Sequence, residues 1–140
     1  MPSLNSKNRL PSRITRPGDF RRIIRTGKRH QRAFLQLYYL PCGPSDDGKV
    51  GFIVPDRAAH GAVKRNRVRR MIKEGFRLWC KYIVPGHDII LRARNFPEFD
   101  HSWFAEAVII KLLTEAKLLT RDGLEKSGER LHDLPDDYTI

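Results

Sequence analysis

Between residues 63 and 82 the chain sorts its side chains into two opposed arcs, and this stretch limits what the rest of the molecule can be. At about 100° per residue, Val68, Met71, Ile72, Gly75, Phe76, Leu78 and Trp79 fall on one side. Asn66, Arg67, Arg69, Arg70, Lys73 and Arg77 fall on the other. A helix built this way buries its first face and leaves its second in solvent, because guanidinium and ammonium groups are costly to desolvate without partners. The pattern predicts a packed layer beneath the helix and a dense cationic surface above it.

The flanking segments supply that layer. Pro17-Gly18-Asp19 opens a short helix that Gly27 closes, with Phe20, Ile23 and Ile24 as its apolar stripe and Ile14 below it. Residues 33–40 read as a strand, Leu35, Leu37 and Tyr39 facing one way and Phe34, Gln36 and Tyr38 the other. Val50–Val54 is a second strand stopped by Pro55, and Asp88–Ala93 is a third. A last helix over about residues 101–119 carries Phe104, Val108, Leu112, Ala116 and Leu119 at helical spacing. The order α, β, β, α, β, α predicts an open α/β (α+β) sandwich forming a single small domain. The strands on either side of the cationic helix should be sheet neighbours joined by a crossover, for which the usual rule favours the right hand.

Charge is concentrated rather than diluted. The net charge of +11 reflects 27 Lys and Arg against 16 Asp and Glu. Residues 1–32 hold ten basic side chains and one acid, and residues 64–77 hold seven and one. Residues 122–140 reverse the sign with six acids, lack an apolar helical period and contain Gly, Ser and Pro, so they are expected to be an acidic, disordered tail. The resulting division is a flexible basic N-terminus over 1–12, a folded domain over 13–119 and the acidic tail over 120–140. An excess of this size predicts a polyanionic partner.

The helix start sharpens that reading. A helix N-terminus ordinarily attracts acids, since its free N–H groups carry partial positive charge. Here Lys64, Arg65, Arg67 and Arg70 crowd it instead, with Asn66 among them. Phosphates answer both the side chains and the N–H groups, and Asn66 suits a 2′-hydroxyl or base edge. A merely solubilising face would mix in acids. A membrane-surface helix would stand apart from the core and keep its apolar face for lipid, whereas this one needs that face for the sheet. No apolar run approaches the roughly 18–20 residues of a membrane span, and the first residues lack a secretory signal, so the cytoplasm is the expected location.

An independent nuclease is the competing class. His30, His60, His87, His101 and His132 are scattered, and Asp46-Asp47 and Asp136-Asp137 lack a cage pattern for a hard cation. Cys42 and Cys80 are isolated and are expected to be reduced thiols. No metal site and no catalytic residue is expected in the protein itself. A ribosomal-type protein or RNA chaperone remains as an alternative with the same charge and helix.

The run Ala62-Val63-Lys64-Arg65-Asn66-Arg67-Val68-Arg69-Arg70-Met71-Ile72-Lys73-Glu74-Gly75-Phe76-Arg77 resembles the signature helix of the bacterial-type ribonuclease P protein family. Asp19-Phe20 with Gly27, Leu35-Gln36-Leu37-Tyr38, Val50-Gly51-Phe52-Ile53-Val54, and Asp88-Ile89-Ile90-Leu91 with Ala93-Arg94 follow that family's elements in order, over about residues 13–119. The resemblance implies an α-β-β-β-α-β-α-type fold with a left-handed βαβ crossover. It implies that Lys64, Arg65, Asn66, Arg67 and Arg70 contact a catalytic RNA subunit. It also implies that Phe20, Tyr38, Arg69 and Lys73 line a cleft for the single-stranded 5′ leader of precursor tRNA. The reaction so implied is endonucleolytic release of the leader, with Mg²⁺ held mainly by the RNA subunit and no obligate protein partner. Three positions depart from the family's pattern. Ile24 stands where a second phenylalanine is usual, Pro55-Asp56-Arg57 replaces a Ser-Lys-Lys run, and Arg92 occupies a normally apolar strand position.

Overall fold

The computed structural model describes residues 10–43, 48–56, 61–95 and 102–134. In chain order they form strand β1 (Ser12–Arg13), helix α1 (Pro17–Thr26) and strands β2 (Lys28–Arg32), β3 (Leu35–Pro41) and β4 (Lys49–Ile53). Helix α2 (Ala62–Trp79) follows, extended by a 3-10 turn at Cys80–Tyr82, then strand β5 (His87–Ala93) and helices α3 (Ser102–Glu115) and α4 (Arg121–Asp133). The strands make one mixed sheet in the order β1-β4-β5-β3-β2. β4 is parallel to β1 and β5, while β3 is antiparallel to β5 and β2. The expected adjacency across the cationic helix is observed: α2 is the crossover between parallel neighbours β4 and β5.

Strand alternation assigns the two faces. Leu35, Leu37, Val50, Phe52, Val54, Ile89, Leu91 and Ala93 join the main core with Val68, Ile72, Phe76 and Trp79 of α2 and the interior of α3. On the other face Tyr38 and Ile90 form a smaller cluster with Ile14 and with Ile23 of α1, against which Phe20, Ile24, Leu40 and Ile53 pack. Pro17 starts α1 with its φ already fixed, and Arg22 of α1 lies 3.7 Å from buried Asp88 of β5. Gly27 ends the helix because space is lacking: a Cβ there would lie 2.5 Å from the Ile23 carbonyl oxygen and 2.6 Å from that of Tyr39. Helix α3 is buried on nearly every side from Phe104 to Leu113, since it packs beside α2, over β2 and β3, and against α4. No described helix is long and apolar enough to cross a membrane.

The structure departs from the sequence reading in four places. Residues 33–34 are a two-residue hairpin turn rather than strand, with Ala33 at φ 49°. Phe34 therefore does not face away from Leu35 but enters the main core, its ring 5.7 Å from that of Phe104. Strand β1 was not expected, and β2, implied by the resemblance as one of three strands before α2, was not read from the residues themselves. The first is two residues long, and the second is a polar edge strand held by backbone pairing.

The last helix ends earlier than expected. The chain turns at Lys117 (φ 58°), and Leu118 and Leu119 drop into the core beside Ile83. Finally, residues 121–133, expected to be part of a disordered tail, form α4. Thr120 caps it by accepting from the Gly123 N–H at 3.1 Å, and Asp122 and Arg130 complement its two ends. Its inner face is small rather than apolar. Gly123 and Ser127 are buried, and a Cβ on Gly123 would sit 2.7 Å from the Tyr82 Cβ. The remaining expected tail and N-terminal residues, 135–140 and 1–9, lie outside the described residues.

Candidate nucleic-acid interface

Helix α2 begins at Gly61, whose φ of 87° favours glycine. No side chain caps this end, and its first turn contains no acid. The N–H groups there are available to an anion, as the sequence suggested. Of the side chains expected to meet a catalytic RNA, Asn66, Arg67 and Arg70 are exposed and Lys64 and Arg65 are half-buried. Arg65 has an acidic neighbour: its guanidinium forms an ion pair with Asp56, one of the departures from the family pattern. The Asn66 amide oxygen accepts from Arg69 Nη1 at 3.4 Å. One turn before the helix end, Glu74 and Arg77 neutralise each other. Their hydrogen bond holds the Glu74 carboxyl below its ordinary range and raises Arg77 above its own.

Along the outer side of α2, Val63, Asn66, Arg69, Arg70 and Lys73 line one shallow groove. Residues expected to serve two different RNA surfaces therefore share a single strip. At its far end the Lys73 ammonium lies 6.0 Å from the Phe52 ring centroid, and the Arg13 guanidinium lies over the same ring at 5.2 Å. Burial, then Arg13 and Arg69, push the Lys73 ammonium below its ordinary pKa. Two cations, Arg13 and Lys73, thus converge on one aromatic ring, with Arg69 acting on Lys73 from beside them. Arg13 was missed in sequence because it belongs to a two-residue strand whose pairing alone brings it to α2.

Phe20 and Tyr38 lie together on the opposite face. The Phe20 ring rests on Gly51, where an added Cβ would approach its Cε1 to 2.5 Å. Strand register sets Gly51, Ile90, Tyr38 and Arg29 in one row across β4, β5, β3 and β2. Of the two aromatics Tyr38 is the more enclosed, at 5% exposure, and its hydroxyl donates to the Gln36 side-chain oxygen at 3.1 Å. Since Gly51 and Phe52 are consecutive in β4, their side chains belong to opposite faces. Phe20 and Tyr38 are therefore separated from Arg69 and Lys73 by the sheet, and the two groups approach each other only around the β1 edge, at Arg13-Ile14.

Beyond Tyr38 the sheet surface is left bare by α1 and forms a cleft lined by Arg29, Gln36, Tyr38, Arg92, Arg94 and Asn95, with Pro55 and Ala93. A chain of side-chain hydrogen bonds ties its floor: Gln36 Nε2 donates to Gln31 Oε1 at 3.3 Å, which also accepts from Arg94 Nη1 at 3.4 Å. The three arginines were not read as site residues. Arg29 lies 63 positions before Arg92, with Arg94 two positions beyond it, and only sheet register unites Arg29 with the other two.

No group of three or more His, Cys, Asp or Glu side chains suited to a metal ion occurs among the described residues. His30 stacks on Tyr39 at 5.9 Å, and Tyr39 meets His87 edge-on at 6.0 Å. Neither Cys42 nor Cys80 is in a disulfide, and burial pushes the Cys80 thiol above its ordinary pKa. His60 and His101 lie outside the described residues.

Comparison with known proteins places this geometry. A family model described as Ribonuclease P matches residues 9–117. The chain is 39% identical over 119 residues to the ribonuclease P protein component of Chloroflexus aggregans, covering 84% of this chain and 86% of that one. Its identity to the corresponding protein of Clostridioides difficile is 39% over 82 residues, 58% of this chain and 70% of the relative. Among solved structures, the RNase P protein of Staphylococcus aureus superposes with a TM-score of 0.69 at 25% identity, covering 79% of this chain and 99% of that one. The Thermotoga maritima RNase P protein shares the fold, with a TM-score of 0.65 at 24% identity over 75% of this chain and 97% of its own.

Proposed function

The chain belongs to the ribonuclease P protein family, and from that premise we propose that it acts as an RNA-binding subunit in tRNA 5′ maturation. In this reading a catalytic RNA carries out hydrolysis of the phosphodiester bond, and the protein supplies two binding surfaces. Lys64, Arg65, Asn66, Arg67 and Arg70 hold the catalytic RNA. The α1 face of the sheet, at Phe20 and Tyr38, holds the 5′ leader of precursor tRNA, while Arg69 and Lys73 carry its backbone around the β1 edge. Mg²⁺, held mainly by the RNA, would supply the charge that stabilises the reacting phosphate, and the described residues of the protein contain no group of three or more His, Cys, Asp or Glu that could hold it.

The observation that carries this reading is the start of α2. A helix end with no acid in its own first turn, where Asp56 offsets only Arg65 among several cations, is unfavourable by itself and becomes favourable when phosphate occupies it. The sheet face fits a variable leader, because aromatic stacking at about 1–3 kcal/mol per base does not require a fixed sequence. These features point to RNA rather than to lipid or protein, and the family membership points to a precursor tRNA.

Reconstitution tests the proposal. Protein mixed with a bacterial ribonuclease P RNA should bind precursor tRNA more tightly than the RNA alone and sustain cleavage at lower Mg²⁺. Protein alone should leave the precursor intact. Cleavage by protein alone would move the chemistry into this chain. Tight RNA binding with no effect on cleavage would favour the RNA-chaperone reading.

A further inference from the structure

Arg92 is out of place in the strand that carries it. Residues 88–91 and Ala93 of β5 are buried, whereas Arg92 is half-buried and faces the α1 side from the middle of the sheet. Charged residues on β2 are explained by its edge position, where they discourage pairing with other chains. No such reason applies to β5, which has a strand on each side. Register pairs Arg92 with Gln36, and Arg29 with Tyr38 one row away, so the two arginines flank β3 from opposite sides. Arg94 continues the same line and shares Gln31 with Gln36. Among the described residues no acid lines this cleft, and neither Arg29 nor Arg92 forms an ion pair. Arg29 and Arg94 are exposed and Arg92 is half-buried; a guanidinium cannot shed its charge, so three of them on one acid-free surface, one partly desolvated in mid-sheet, favour an anion from outside.

We infer that Arg29, Arg92 and Arg94 form an additional phosphate track, binding leader nucleotides beyond those held at Phe20 and Tyr38. This rests on the leader reading above. Arg29 and Arg92 stand two strands apart, roughly 10 Å at about 4.8 Å per strand spacing, which is room for separate phosphates along one extended strand. The floor between them is suited to RNA as well: the exposed Gln31 amide presents a polar edge to a sugar-phosphate chain, above the buried Gln36 amide and Tyr38 hydroxyl that bond to each other. The consequence is a binding contribution that depends on leader length. Short leaders would reach the aromatic part of the face, and longer ones would also engage the arginines.

The test uses the reconstituted holoenzyme and a set of precursor tRNAs whose leaders are shortened one nucleotide at a time. Arg92→Leu removes the charge in the middle of the sheet. Arg29→Ser removes it from the exposed strand, where folding is not at stake. With long leaders each variant should bind several-fold more weakly than the native protein, and its log–log salt slope should fall by about 0.7, the value for one phosphate on a single strand. As the leader shortens, variant and native affinities should converge, and mature tRNA should bind all three proteins alike. Equal losses for long, short and mature substrates would overturn the inference. So would unchanged binding at every length, provided that Phe20→Ala still erases the preference for precursor over mature tRNA. If Phe20→Ala leaves that preference untouched as well, the leader reading itself fails.

Discussion

Helix α4 is fastened to the domain by one carboxylate, and severing that contact gives a stability change that can be worked out in advance. Glu106 is 5% exposed and accepts three hydrogen bonds: from Trp79 Nε1 at 3.0 Å, from Arg130 Nε at 2.9 Å and from Arg130 Nη2 at 2.9 Å. Glu106→Ala leaves a buried indole N–H without an acceptor, a cost of about 1–3 kcal/mol. The lost ion pair adds no more than about 1 kcal/mol, because the Arg130 side chain is 44% exposed and rehydrates. The total of about 1–4 kcal/mol corresponds to a fall in Tm of roughly 4–15 °C for a domain of this size. Arg130→Met should cost at least as much, since it strands a buried carboxylate on a single neutral donor. The double variant Glu106→Gln with Arg130→Met should recover a large part of either loss. Urea and thermal melts of the four proteins measure this cycle. If Arg130→Met, or removal of residues 121–140, shifts Tm by under about 2 °C, α4 is not docked and the acidic segment is the solvated tail that its charge pattern suggested.

Three further outcomes follow from the site. Replacing Arg65, Arg67 and Arg70 together by Ala should flatten the log–log salt dependence of catalytic-RNA binding by about two, somewhat less than three full phosphates, because Asp56 already occupies Arg65 in part; fluorescence titrations at several salt concentrations read the slope. Gly51→Ala should lift the Phe20 ring off β4 and weaken precursor tRNA binding while leaving mature tRNA binding unchanged, as compared by filter binding. Burial, Arg13 and Arg69 together hold Lys73 below 10.5, so Arg13→Ala should raise its titration midpoint toward that value in side-chain NMR. An unmoved Lys73 midpoint would place Arg13 away from Phe52.

The parts of this molecule legible in sequence are those whose side chains state their surroundings. Leu35, Leu37, Gln36 and Tyr38 alternate between two faces that differ in polarity, so strand and register could be read directly. The cationic helix was legible for the same reason: its two arcs differ sharply. Helix α4 escaped notice because its buried positions are Gly123 and Ser127, which hydrophobic periodicity does not count, and because its strongest contact is polar. Strand β2 contains no apolar residue, so only its hydrogen bonding to β3 reveals it. The enclosure of Tyr38 was hidden for a related reason. Sequence put Phe20 in the apolar stripe of α1 and Tyr38 with Gln36 on the face away from Leu37, yet Tyr38 lies centrally on the sheet under α1, and its hydroxyl is satisfied by Gln36. Arg29, Arg92 and Arg94 become neighbours only through pairings that span much of the chain, which no local window contains.

The position of β5 has a bearing on how the molecule assembles in time. It is the last strand to be synthesised, yet it lies at the centre of the sheet between β4 and β3. Until residues 87–93 are available, β1 and β4 on one side and the β2–β3 hairpin on the other have no common partner. Closing such long separations is entropically expensive, and folding rates fall accordingly. α2 precedes β5, so its cations emerge before the surface that orients them is complete. A nascent chain therefore displays charge early but acquires its arranged phosphate sites late, in the same step that inserts β5. That ordering postpones shape-specific RNA recognition until the fold is nearly finished.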